Sequence, residues 1–154
     1  MGQVNDVKIE LPHPALADAD WADCYSIDVA NEFDTALDAA NAIVANFPKW
    51  TYPALLLRQI LVVPFGLKGS QEAKSKIGKV GIFPIISEDQ NRIVAGFDDT
   101  HLDFRIVVDL ARSDNGQCVS LATLIRRHNL LGRTYLLAVL PFHRAIIRTA
   151  LGKL

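Results

Sequence analysis

Hydrophobic positions recur along this chain with two periods, and the change from one to the other marks its elements. From Trp21 to Val29 the pattern alternates. Trp21, Asp23, Tyr25, Ile27 and Val29 share one side, and Ala22, Cys24, Ser26 and Asp28 share the other, which predicts a first strand with an aromatic-rich face. From about Asp34 the spacing becomes helical. Leu37, Ala40, Val44 and Phe47 fall on one stripe, Asp34 or Thr35 can cap it, Asp38 stands in the first turn, and Pro48 ends it. A second helix is predicted from Pro53, a good first-turn proline, to about Val63, before Pro64-Phe65-Gly66. It is apolar on nearly every side. Residues 66–81 are rich in Gly, Ser and Lys and read as an exposed loop, either a connector or a gate over a cavity.

The period then returns to two. Residues 82–87 and 92–97 flank a turn and predict a hairpin, and His101 to Leu110 alternates cleanly after Asp98-Asp99-Thr100. Leu102, Phe104, Ile106 and Val108 form one face of that strand. His101, Asp103, Arg105, Val107 and Asp109 form the other. Asn115-Gly116 signals a tight turn into a last strand, residues 117–127. A long helix follows, with Asn129 as N-cap and Gly152 as C′ residue. At about 100° per residue, Tyr135, Val139, Phe142 and Ile146 make its inward stripe, with Arg133, Arg144, Arg148 and Pro141 opposite. Strands and helices are segregated, so the class is α+β: a curved antiparallel sheet, with two helices after its first strand, wrapped around the long C-terminal helix.

Composition narrows the functional classes. The 154 residues suit a single domain spanning 1–154; half are hydrophobic and 21% charged, so a full core is expected. A net charge of −1 gives no electrostatic footprint for nucleic acid. Cys24 and Cys118 stand far apart without metal spacing, which fits two reduced core thiols in a cytoplasmic protein. The start lacks a signal-peptide core, and Ala54 to Phe65 is shorter than the roughly 20 residues a bilayer takes, so no membrane insertion is expected.

A resemblance enters through particular segments: Leu55-Leu56-Leu57-Arg58, Phe65-Gly66-Leu67, Phe83-Pro84, Asp99-Thr100-His101-Leu102-Asp103-Phe104-Arg105, and His128 to Tyr135 with Pro141-Phe142-His143. Over nearly its whole length the chain resembles an uncharacterised family of small bacterial proteins, a domain of unknown function. More distantly, its element order resembles the helix-grip fold of the START and polyketide-cyclase-like superfamily. That resemblance implies an apolar cavity between sheet and long helix, of a kind often used for lipids, hormones or polyketides. The chain departs from it in predicting fewer strands than the usual seven.

Candidate chemistry is sparse. His101, Asp103 and Arg105 share one strand face at roughly 7 Å spacing. A carboxylate beside an imidazole suits a general base and the guanidinium an anion clamp, although a solvated outer face with cross-strand ion pairs explains the row better. Phe104 and Ile106 make the better core face, which puts the polar row outside. His143 flanks the apolar stripe of the long helix and can anchor a polar group in a cavity, or donate to a carbonyl at the core edge. Tyr135 and Tyr25 can present hydroxyls to a ligand, with Phe142 beside them. No metal cluster, nucleophile elbow or phosphate loop is present in the sequence, and no cofactor is expected. The expected function is therefore a binding module for a small hydrophobic molecule. The alternatives are acid/base chemistry on a polyketide-like or carbonyl substrate, and a non-catalytic interaction protein or homodimer formed through an open sheet edge or through exposed aromatics such as Trp21 and Trp50.

Overall fold

The structure, a computed structural model, describes residues 3–30, 32–51, 79–80, 83–98 and 102–154, with the backbone alone at Lys79, Phe97 and Tyr135. The helix expected over 53–63, most of the loop expected over 66–81, and His101 lie outside these residues. Within them the order is β1 (Asn5–Asp6), β2 (Trp21–Val29), α1 (Ala36–Ala45), β3 (Lys79–Val80), β4 (Phe83–Glu88), β5 (Arg92–Asp98), β6 (Leu102–Ser113), β7 (Gly116–Arg127) and α2 (Leu130–Gly152).

The class is α+β. Seven strands form one antiparallel sheet in the order β1-β2-β7-β6-β5-β4-β3, so the first long strand lies beside the last and the meander runs outward from there. The sheet thus has more strands than the sequence pattern predicts. The two extra ones, β1 and β3, are two residues each, too short to show a period. Lys79–Val80, expected in the loop, pairs with Phe83 and Pro84. Among the described residues a single helix, α1, follows β2.

Local chemistry accounts for the boundaries. Thr35 and Asp38 close a capping box at the start of α1, each side chain accepting from the other's backbone N–H. The side chain of Asn129 accepts from the N–H of Gly132 and caps α2. α2 runs through Gly152, and Lys153, not Gly152, caps its end. Gly96 has φ of +150° and sits where β5 crosses β6 closely; a Cβ there would come within 2.1 Å of the Phe104 carbonyl oxygen. A bulge between Ile85 and Ser87 interrupts the β4–β5 register nearby.

The sheet is a middle layer. On one side Tyr25, Ile27, Ile93, Val108, Leu110, Val119 and Leu121 pack against Ala36, Ala39, Ala40 and Ile43 of α1 and Ile147, Ala150 and Leu151 of α2. On the other side Val94, Val107, Ala122 and Leu124 are covered by Ile9, Ala15, Leu16 and Ala19. These belong to an N-terminal strap, residues 7–20, tied at both ends: Val7 N–H donates to the Cys24 carbonyl and Asp20 N–H to that of Ile125, both at 2.9 Å. The alternation in β2, β5, β6 and β7 is therefore apolar against apolar over much of its length, since both faces are covered.

The inward side of α2 differs from the expected stripe. Leu136, Ile147, Ala150 and Leu151 are buried, with Leu140 and His143 half-buried between them. Phe142, expected inside, is 59% exposed, and Leu137 is 69% exposed. The inward face is turned about 100°, one residue, from the predicted one. The aromatic residues weighted the sequence pattern, but the smaller Ala150 and the Ile147–Leu151 pair make the closer contact with the sheet.

Candidate functional site

On the side of the sheet facing α2, the apolar pattern of β2 is broken once, at Asp23. Strand pairing sets Trp21 opposite Ile125, Asp23 opposite Thr123 and Tyr25 opposite Leu121. α2 crosses above this row and brings His143 down onto it. Nε2 of His143 lies 3.4 Å from Oδ1 and 3.2 Å from Oδ2 of Asp23, and both side chains are 16% exposed. The imidazole also meets the Trp21 ring edge to face, at 6.2 Å between centroids. With Nε2–H directed at the carboxylate, Nδ1 remains as an acceptor, the arrangement in which a carboxylate orients a histidine. Oγ1 of Thr123, in a side chain 1% exposed, is buried with no hydrogen-bond partner, and the buried Oδ2 of Asp23 opposite it is met by the His143 Nε2. Such groups are costly to leave unsatisfied inside an apolar layer.

Tyr25 continues the row. It is 6% exposed, and the Arg148 guanidinium lies 5.4 Å over its ring. Burial, followed by the neighbouring Asp23 carboxylate, raises its phenol above the ordinary value of 10.0. One turn along α2 from His143, and one strand step from Thr123 to Leu121, is a wholly apolar cavity lined by Ile43, Phe47, Phe83, Ile106, Leu121 and Ile147 among others. It holds about 20 Å³, enough for a water-sized guest and far below the roughly 300 Å³ of a drug-sized ligand site.

The structure brings together two of the four expected ligand residues, His143 and Tyr25. Phe142 points away from them, out of the layer, and meets Trp50 at 6.3 Å; the side chain of Tyr135 is outside the description. Asp103 and Arg105 lie on the face turned from α2, because Phe104 packs toward Leu140 on the other. Asp103 Oδ1 is 2.9 Å from His128 Nε2, and Arg105 donates to Asp98 at 2.7 Å and to the Phe104 carbonyl at 2.9 Å. Arg127 pairs with Asp20 at 3.2 Å and Arg126 with Asp18 at 3.1 Å. These polar pairs tie β6 to β5 and to His128 just past β7, and tie β7 to the N-terminal strap. Among the described residues no group of three His, Cys, Asp or Glu side chains converges as a metal site would require. The residues that sequence reasoning missed are Asp23 and Thr123; Trp21 was read as an exposed aromatic for an interface, and it packs on His143 instead. The signal for Asp23 was present, since it is the only charged side chain on an otherwise aromatic and aliphatic strand face.

The chain matches the family described as a protein of unknown function (DUF2867) over residues 15–150, and it belongs to that family. No curated protein and no solved structure matches it.

Proposed function

We propose that the protein binds a small molecule with an apolar body and one hydrogen-bonding head group, held between the sheet and α2. The observation that carries this reading is the Asp23–His143 pair with Thr123, a polar island inside an apolar layer that leaves the buried Thr123 hydroxyl unpartnered. A hydroxyl or amine on a guest would satisfy it, and Nδ1 of His143 supplies a further acceptor. The element order favours a helix-grip-like reading of the fold. The last long strand lies between the first and the meander, and the C-terminal helix crosses the same face. Fold analogy of this kind supports a place for a ligand and not its identity.

The 20 Å³ cavity accepts such a guest only if α2 lifts. That movement is cheap at the right end: among the side chains of α2 described from residue 130 to 146, Gly132 and Leu136 alone are buried. The C-terminal end is seated by Ile147, Ala150 and Leu151 and acts as the hinge. A second reading, acid/base chemistry on a carbonyl compound, draws on the same oriented imidazole.

Native mass spectrometry of protein purified without denaturation, followed by titration with medium-chain alcohols and phenols, tests the proposal. The expected result is a bound mass, or a thermal shift with these probes, that Asp23→Asn and Thr123→Val weaken about tenfold. Wild-type protein that carries no bound mass and responds to none of the probes would overturn it.

A further inference from the structure

The outward side of α2 carries more exposed apolar surface than the packing of this fold uses. Leu130 is 78% exposed, Leu137 69%, Phe142 59% and Leu131 37%, and Trp50, 45% exposed, stacks edge-on against Phe142. Ala138, Pro141 and Ala145 are exposed between them. Scattered single apolar residues need no explanation, but a contiguous patch does. The charged residues on the same helix are all cationic: Arg133, Arg144 and Arg148, with Lys153 at its cap and no Asp or Glu from 130 to 154. Arg148 is paired with Asp6 at 2.8 Å, and Arg133 and Arg144 are exposed beside Leu137.

We propose that this side of α2 lies against an anionic lipid surface. A helix with leucine and phenylalanine on one broad face, arginines along its flank and an aromatic pair at its middle is suited to the boundary between headgroups and acyl chains. A second copy of the chain fits the same patch poorly. Two-fold packing of α2 on itself about Ala138 and Val139 sets Arg133 of one copy beside Arg144 of the other, with no acidic residue on the helix to offset them. The 23-residue helix is also long and apolar enough to cross a bilayer, but its inner side is seated on the sheet by Leu136, Ile147, Ala150 and Leu151, which fits lying along a membrane and not passing through it. The surface is distinct from the Asp23–His143 site, which occupies the opposite side of the helix.

Co-sedimentation of the full chain with vesicles of phosphatidylcholine alone, and of phosphatidylcholine containing one-third phosphatidylserine, tests this. Binding is expected on the anionic vesicles, falling with added salt, with a blue shift in emission that Trp50→Phe removes. Arg133→Gln and Arg144→Gln should each lower partitioning about fivefold, the effect of about 1 kcal/mol per cation near such a surface. Leu137→Ser with Phe142→Ser should abolish it, while circular dichroism stays that of the wild type because both positions are solvent-facing. Failure to sediment with either vesicle overturns the proposal. So does a concentration-dependent dimer, seen by sedimentation velocity, that Leu137→Ser dissolves in protein that ignores the vesicles.

Discussion

The Asp23–His143 pair makes a quantitative test, because its stability and its function should separate. Replacing His143 with Leu leaves the Asp23 carboxylate, 16% exposed, facing an apolar helix, and the Thr123 hydroxyl beside it makes no hydrogen bond that could take over. Breaking a fully buried pair in this way costs about 3–5 kcal/mol, and the residual exposure reduces the expectation to about 2–3 kcal/mol. Asp23→Val should cost less, about 1 kcal/mol, since it leaves an imidazole that can be buried uncharged against Trp21. The double replacement removes both polar groups and puts a β-branched residue in a strand position, so it should return to within about 1 kcal/mol of wild type. The coupling energy is then about 3 kcal/mol. Urea melts give these values directly, and at this chain length His143→Leu should lower Tm by about 4–12 °C. Ligand binding should nevertheless be lost in the double variant. If the two single replacements are each neutral and their effects add, the pair is not a coupled unit and the argument for the site fails.

Three other outcomes follow from features outside the site. Gln117, 5% exposed, accepts from Glu32 N–H and Phe33 N–H at 3.1 Å and donates to the Phe33 carbonyl at 2.6 Å, fixing the lead-in to α1; Gln117→Leu strands all three groups and should cost about 3 kcal/mol in a denaturant melt. Burial, followed by Arg92, lowers the pKa of His13 from its usual 6.5, and its Nδ1 accepts from Ala15 N–H at 3.0 Å, a bond that protonation removes. The unfolded chain then binds more protons here, so stability is lost as pH falls through 6.5 toward the lower folded value, and His13→Asn, which keeps an acceptor, should flatten that part of the pH–Tm curve. Burial also pushes the Cys24 thiol up from 9.0 to about 11, so near pH 8 it should react with a disulfide reagent about a hundredfold more slowly folded than unfolded.

Much of the architecture was legible because period-two and period-3.6 patterns act locally. The long strands, the Thr35–Asp38 capping box, the Asn129 cap and the turn before Gly116 are each set by neighbours within four residues. What was hidden depends on distant partners. β1 and β3 exist because β2 and β4 offer them an edge. The strap over Val107 and Leu124 reads as an irregular, proline-bearing lead-in, and its covering role appears only when the outer face of the sheet is in place. The rotation of α2 has the same origin: the sheet selects small and branched residues for close approach and leaves Phe142 outside, reversing the order that hydrophobicity alone suggests. His143 was readable as a flank residue, but its partner lies 120 positions away, and no local rule joins them.

Because the N-terminal strap is a covering layer, the sheet can be intact in hydrogen bonds and still be incomplete as a folded unit. A chain trimmed to begin at Trp21 would keep β2 and everything after it, yet would leave Val94, Val107, Ala122 and Leu124 as a bare oily plane open to water. Such a truncated protein should clump on concentration, and adding back residues 3–20 as a separate peptide should restore its solubility.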